Sequence, residues 1–322
     1  MTGLVEAPET VRNLLKNRDK ATIDSIEASF REGVLRRALE QAPEIPRRSR
    51  LTVEEFERDY RRQGKPVVVE GLIEDWPSRR TWTFDVLDEK CGSASVVIDS
   101  YNSKRARKAT FSEFIAAMRA NGPEQEPIYL QEWLYMADCP FLAHDLPELP
   151  IAQYDYRRVL YGEKISTNHQ LWIGQKGATT RVHQDSYVVD VLHAQIVGRK
   201  HWTVMTPEAH LGVDASGEHD FGGLAASCSF FTCVLQPGDV LYLPALWFHR
   251  VELLDDSIGL GRKCLDESNI QTHVRLRLAE LLALALNNDY VREAHPELYN
   301  VVVLRNRAWA KLLEIDLTQL RP

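Results

Sequence analysis

Cysteine is scarce in this chain of 322 residues. There are five, Cys91, Cys139, Cys228, Cys233 and Cys264, an odd number with no C-x-x-C pair. That leaves no readable disulfide framework and no zinc knuckle. Long apolar runs are missing too. The most apolar window, Leu276–Leu286, is interrupted by Arg277 and Glu280 and is too short to span a bilayer. The opening stretch, MTGLVEAPETVRNLLKNRDK, holds no apolar segment of the signal-peptide kind. There is no surplus of basic charge: 39 Lys and Arg stand against 46 Asp and Glu, a net charge of −7. This balance argues against a dedicated nucleic-acid binder, a local basic patch aside. Internal repeats and low-complexity tracts are absent as well. Together these absences predict a cytoplasmic protein with reduced thiols. What remains is 44% apolar and 26% charged, the make-up of an ordinary globular protein of one large or two small domains.

Three segments are expected. Residues 1–50 place Ile23, Ile26 and Phe30, then Val34, Leu35 and Leu39, at helical spacing. Pro43 and Pro46, with Arg47, Arg48 and Arg50, read as a linker with a solvated basic face. Residues 51–265 read as short strands with turn signals between them, and residues 138–160 as loop. Thr52 and Thr110 are placed to cap helices, each with Glu three residues later. Candidate strands are Val67–Val69, Ala94–Ile98, Ile128–Gln131, Gln170–Gly174, Thr180–His183, Val188–Val197, His201–Met205, Phe230–Leu235, Val240–Leu243 and Trp247–Leu253. A long loop is expected over 207–223. Such a series predicts a mostly β, double-sheet barrel of the jelly-roll kind. Residues 266–322 return to helix; the 271–288 stretch is apolar almost all round, as buried or interface helices are.

The chemistry concentrates between Asn168 and Met205. His183 and Asp185 flank Gln184, and in a strand residues two apart share a face. A third donor, His249, lies in QPGDVLYLPALWFHRV. Two imidazoles and one carboxylate on one face of a metal leave the other face open, the arrangement of non-haem Fe(II) oxygenases. Singly, each is an ordinary core histidine or turn acid; the reading rests on the three together. His193 and His201 read as parts of the fold, and Trp172, Trp202 and Trp247 as core.

The segments GKPVVVEGLIEDWP, YLQ (Tyr129–Gln131), LWIGQKGATTRVHQD, AQIVGRKHWTVMTP and PGDVLYLPALWFHRVE, in this order, resemble the JmjC and cupin-like Fe(II)/2-oxoglutarate-dependent oxygenases. The likeness covers roughly residues 51–265 and looks nearest to the branch of the asparaginyl hydroxylase of hypoxia-inducible factor. It implies a double-stranded β-helix core between N-terminal and C-terminal helices. It implies Fe(II) on His183, Asp185 and His249, with 2-oxoglutarate and O2 as co-substrates. Thr180, Tyr129 and Lys200 fall on the positions that contact 2-oxoglutarate, and Arg262 is the alternative to Lys200. It also implies a homodimer through the C-terminal helices, and a reaction in which 2-oxoglutarate gives succinate and CO2 while a substrate C–H gains a hydroxyl. The substrate would be an amino-acid side chain (protein-bound, carrier-bound or free) or a related metabolite.

Two departures mark the substrate side. The interval from His183 to Lys200 is about two residues longer than in that branch, with the excess near Ser186–Asp190, where Asp190 and Val191 stand in place of an asparagine. The last strand carries Gly259-Leu260-Gly261-Arg262-Lys263 where a polar residue is usual. One of Arg262 and Lys263 should face the metal, paired either with Asp190 or with a substrate carboxylate. The asparaginyl substrate is therefore not transferred. Alternatives are a tRNA- or ribosome-directed hydroxylase, which the acidic balance disfavours, and a cupin-like binding module without catalysis.

Overall fold

The computed structural model describes residues 41–99, 106–162, 169–185, 187–207, 229–274 and 277. The helices expected within 1–40, nearly all of the 207–223 loop, and the 271–288 helix beyond Val274 lie outside these residues, Arg277 excepted.

Twelve strands form two sheets. They are β1 (Arg47–Ser49), β2 (Val67–Glu70), β3 (Ser95–Ile98), β4 (Arg107–Thr110), β5 (Tyr129–Trp133) and β6 (Gln170–Gly174), then β7 (Asp190–Val197), β8 (Lys200–Met205), β9 (Phe230–Leu235), β10 (Val240–Leu243), β11 (Phe248–Leu253) and β12 (Ser257–Cys264). The larger sheet runs β1-β2-β10-β7-β12-β6-β5-β3-β4 and the smaller β11-β8-β9. Only the β1–β2 pairing is parallel. This is the mostly β, double-sheet architecture expected.

Alternation along the strands sorts residues between two cores. Val67, Val69, Leu171, Ile173, Leu192, Ala194, Val240, Tyr242 and Leu260 face helices packed outside the larger sheet. Val68, Val191, Leu241 and Leu243 face inward, against Trp202, Val204, Val251 and Leu253 of the smaller sheet. The central strands are therefore buried on both faces, and every residue of β7 but Val197 is buried, Asp190, His193 and Gln195 included.

The helices start where expected. Thr52 caps Val53–Phe56 and Thr110 caps Phe111–Ala120, both as reciprocal capping boxes with Glu55 and Glu113. Thr83 caps Phe84–Cys91.

Three expectations are corrected. Arg47–Ser49 is not linker but the edge strand beside β2. Ile45 just before it is fully buried, and the Arg47 guanidinium is held by Glu70 at 2.7 Å and Asp239 at 2.5 Å. Residues 138–160 are not plain loop: short helical turns cover Pro140–Asp145, Pro150–Ala152 and Arg157–Tyr161. Thr180–His183 is not a strand, because only isolated bridges, Thr179 to Glu252 and His183 to His249, tie it down. The last strand, expected over Gly259–Lys263, is present as Ser257–Cys264 and pairs on both sides. No helix among the described residues is long and apolar enough to cross a membrane.

Candidate active site

The inward faces of the strands enclose one cavity between the sheets, about 450 Å³ in empty volume and partly open to solvent. His183, Asp185 and His249 stand at one part of its wall; Tyr129, Thr180, His193 and Lys200 stand at another.

The two imidazoles meet across a backbone bridge. His183 N–H donates to the His249 carbonyl at 3.0 Å, and His249 N–H donates back at 2.9 Å. Their ring centroids are 4.1 Å apart. His183 and Asp185 thus converge through that bridge and the following coil, not through alternation along one strand. In each imidazole Nδ1 faces a backbone carbonyl two residues earlier: Arg181 at 2.7 Å for His183, Trp247 at 3.3 Å for His249. A carbonyl only accepts, so Nδ1 carries the proton and Nε2 keeps its lone pair. Burial, then His183, pushes His249 down to about 3, which keeps it neutral. The flat face of Trp202 stacks on it at 5.6 Å.

Asp185 completes the donor set. Burial raises its carboxyl, but Lys263, His249 and His183 pull it down further, and the net displacement is below the ordinary carboxylate value. Its Oδ2 lies 3.7 Å from His249 Nε2, and its Oδ1 lies 3.6 Å from Lys263 Nζ. The donors do not close into a sphere as they stand: among the described residues no three His, Cys, Asp or Glu are grouped to hold a metal ion. The types fit nonetheless, with two imidazoles whose Nδ1 atoms face backbone carbonyls and an ionised carboxylate lining one cavity.

The same cavity holds a buried cation. Lys200 is fully buried, and its Nζ neighbours are Tyr129 Oη at 3.4 Å and His193 Nε2 at 3.5 Å, neither an anion. Among the described residues no carboxylate pairs with it. Burial lowers its ammonium to about 7, and burial raises the Tyr129 phenol. His193 is pushed well down, first by burial and then by Lys200, and so stays neutral. Thr180 Oγ1 accepts from Val251 N–H at 2.9 Å and keeps its own proton to donate. A buried charge of this kind calls for a partner, and a carboxylate is the fitting one.

Glycine clears the space around these groups. A Cβ on Gly259 would come 2.5 Å from His193 Nε2 and 3.0 Å from Lys200 Nζ, and one on Gly174 would come 2.5 Å from Tyr129. Gly261 likewise faces inward, with Trp172 Nε1 at 2.9 Å. By the same alternation Arg262 faces the helices. It borders the cavity, and its guanidinium is held by Glu148 at 3.1 Å and Asp155 at 3.3 Å. Neither cation pairs with Asp190, which instead accepts from Tyr242 Oη at 3.1 Å and Ala245 N–H at 2.8 Å. Glu132, which holds Lys263 at 3.0 Å, was not singled out from the sequence. A lone acid in an aromatic strand carries no spacing signal.

A double-sheet β barrel with a His/Asp/His cluster and a buried lysine lining one cavity defines the class, a cupin-like barrel. The model of the cupin-like domain matches residues 53–218 and 211–262, well over half of the chain. The chain therefore belongs to the cupin-like, JmjC-type domain family. It is similar to lysine-specific demethylase JMJ21 of Arabidopsis thaliana, 27% identical over 79% of this chain and 30% of that protein. It is similar to lysine-specific demethylase JMJ30 of the same plant, 29% identical over 67% and 54%. A third relative is the 2-oxoglutarate and iron-dependent oxygenase JMJD4 of Gallus gallus, 26% identical over 68% and 59%. The chain thus spans between about a third and three fifths of the length of these relatives. None of the three is an asparaginyl hydroxylase by name.

Proposed function

We propose that this protein is an Fe(II)- and 2-oxoglutarate-dependent oxygenase that hydroxylates a C–H bond of an amino-acid side chain, in a protein, on a carrier or free, or of a related metabolite. The observation that carries the reading is the buried Lys200 ammonium, without an anion, in the same cavity as His183, Asp185 and His249. Names of relatives that include iron, 2-oxoglutarate and demethylase support it. Bound Fe(II) supplies the chemistry with O2 that converts 2-oxoglutarate to succinate and CO2 and places one oxygen atom on the substrate carbon.

The chain's own residues supply the rest. His183 and His249 present Nε2 lone pairs because backbone carbonyls hold their other nitrogens, and Asp185 adds the carboxylate. Lys200 neutralises the remote carboxylate of 2-oxoglutarate, and Tyr129 and Thr180 donate hydroxyl hydrogen bonds to it. Val191, Trp202 and Val251 keep that end of the cavity dry. The same reading includes a cytoplasmic protein that pairs as a homodimer through its C-terminal segment.

Succinate release from 2-oxoglutarate with added Fe(II), and a product heavier by one oxygen atom in mass spectrometry across substrate pools, test the activity. Asp185→Ala should abolish both and leave the circular dichroism spectrum unchanged; wild-type turnover in that variant would end the assignment. The open donor spacing is the one observation that favours a binding module without catalysis, and the absence of succinate from iron-loaded wild type would select it.

A further inference from the structure

The part of the cavity that faces away from Lys200 carries its own charge. Along β12 the odd-numbered residues face inward, since a Cβ on Gly259 or Gly261 would strike cavity residues, and Lys263 continues that face. Its ammonium lies 3.0 Å from Glu132 Oε1 and 3.6 Å from Asp185 Oδ1. The three side chains are 18%, 13% and 16% exposed, so they stand where the cavity opens, unlike the sealed Lys200. Glu132 reaches this place from an irregular point of β5. The register with β6 shifts between Leu130 and Trp133, and Glu132 has φ +52. Bulges and left-handed residues of this kind re-aim side chains and gather at functional sites.

We propose that Lys263 selects the substrate: its ammonium receives a carbonyl oxygen, of a carboxylate or carboxamide, on the group to be hydroxylated, and it denies that place to a methylammonium group. The inference rests on the oxygenase reading above. It follows from charge accounting. A divalent ion, the Asp185 carboxylate, the two carboxylates of 2-oxoglutarate and the Lys200 ammonium sum to zero. Of the charges that remain on the cavity lining, Arg262 is held by both Glu148 and Asp155, whereas Lys263 stands beside Glu132 and Asp185. Once Asp185 turns to a metal, Lys263 keeps one of its two carboxylates and has donor capacity left over. An incoming carbonyl oxygen takes up that capacity. An incoming cation would lie against a like charge, the repulsive device by which sites reject wrong partners.

The test needs no knowledge of the natural substrate. The full chain is loaded with Mn(II) and saturating 2-oxoglutarate, and the paramagnetic relaxation of the methyl protons of acetate, acetamide and tetramethylammonium is measured. Wild type should relax acetate and acetamide about fivefold more than tetramethylammonium, the effect of one partly exposed charge. Lys263→Met, which keeps the aliphatic stem, should abolish that preference, and Lys263→Glu should reverse it. If tetramethylammonium approaches the wild-type ion as closely as acetamide, or if Lys263→Met keeps the preference, Lys263 is not the selecting group. If Mn(II) does not bind at all, shown by unchanged water-proton relaxation, the oxygenase reading fails first, and the two failures are distinguishable.

Discussion

Lys200 is the residue whose charge state should govern co-substrate binding. Burial lowers its ammonium to about 7, far below an ordinary lysine. A bound carboxylate favours the charged form, so binding above that value takes up a proton. Affinity for 2-oxoglutarate should therefore be flat below pH 7 and fall about tenfold per pH unit above it. Calorimetric titration of the Mn(II)-loaded protein between about pH 6 and about pH 9 measures this; a constant Kd across that range would contradict it. Lys200→Met should bind 2-oxoglutarate at least about a hundredfold more weakly, because a charge-assisted bond is lost outright. Lysine at this position was readable from the sequence only through the family pattern around Gly198-Arg199-Lys200. Strand alternation added that Arg199 points the other way, and Arg199 does pair outside with Asp255 at 2.7 Å. The sequence left Arg262 as the alternative to Lys200, and the proposal of Lys200 draws on the fold. Which cation has protein carboxylates beside it depends on Glu148 and Asp155, more than a hundred residues from Arg262 in the chain.

The elements that carry the site show where pattern reading fails. Short apolar runs bounded by turn signals found β7, β8, β9, β10 and β11 to within about two residues. β12 was legible only through the family pattern, because Gly259 and Gly261 interrupt its apolar run; they leave room for His193, Lys200 and Trp172. Gly259→Ala should accordingly retain the fold at a cost of about 1–3 kcal/mol, with a larger loss in 2-oxoglutarate affinity than in melting temperature; unchanged affinity would show that Lys200 has room to move. The stretch 184–190 escaped for another reason. It leaves the sheet with Tyr187 at φ +71 and Val188 at φ +54, conformations that no periodicity reveals. Both ends of that excursion are pinned to the turn before β11. Gln184 Nε2 donates to the Leu246 carbonyl at 2.5 Å, and Asp190 accepts from Ala245 N–H. Leu246 itself has φ +70, three residues before His249. Gln184→Ala should cost about 1 kcal/mol, speed hydrogen exchange across 244–248 and weaken metal binding, although Gln184 is no ligand. Normal exchange there would make the bond incidental.

The whole molecule depends on how its C-terminal segment meets this same excursion. The segment begins as helix at Ile270–Val274, where Ile270 N–H donates to Asp266 and His273 N–H to Asn269. From that first turn His273 Nδ1 reaches the Tyr187 carbonyl at 2.9 Å, and the Arg277 guanidinium lies 4.7 Å over the Tyr187 ring. Tyr187 is two residues beyond Asp185, so the start of the segment braces the stretch that carries the carboxylate proposed to hold the metal. The apolar sequence that follows, expected as helix to residue 288, is too apolar to be left in water and is the proposed dimer contact. A chain ending at Cys264 should therefore change in two ways at once. Light scattering should show monomer or aggregate in place of dimer, and Mn(II) affinity should fall because Tyr187 has lost its brace. The substitution His273→Ala separates the two: it should weaken the ion and leave the dimer intact. A well-behaved dimer from the shortened chain would move the interface elsewhere, and unchanged Mn(II) affinity in His273→Ala would show that the strained excursion holds Asp185 without help from the C-terminal segment.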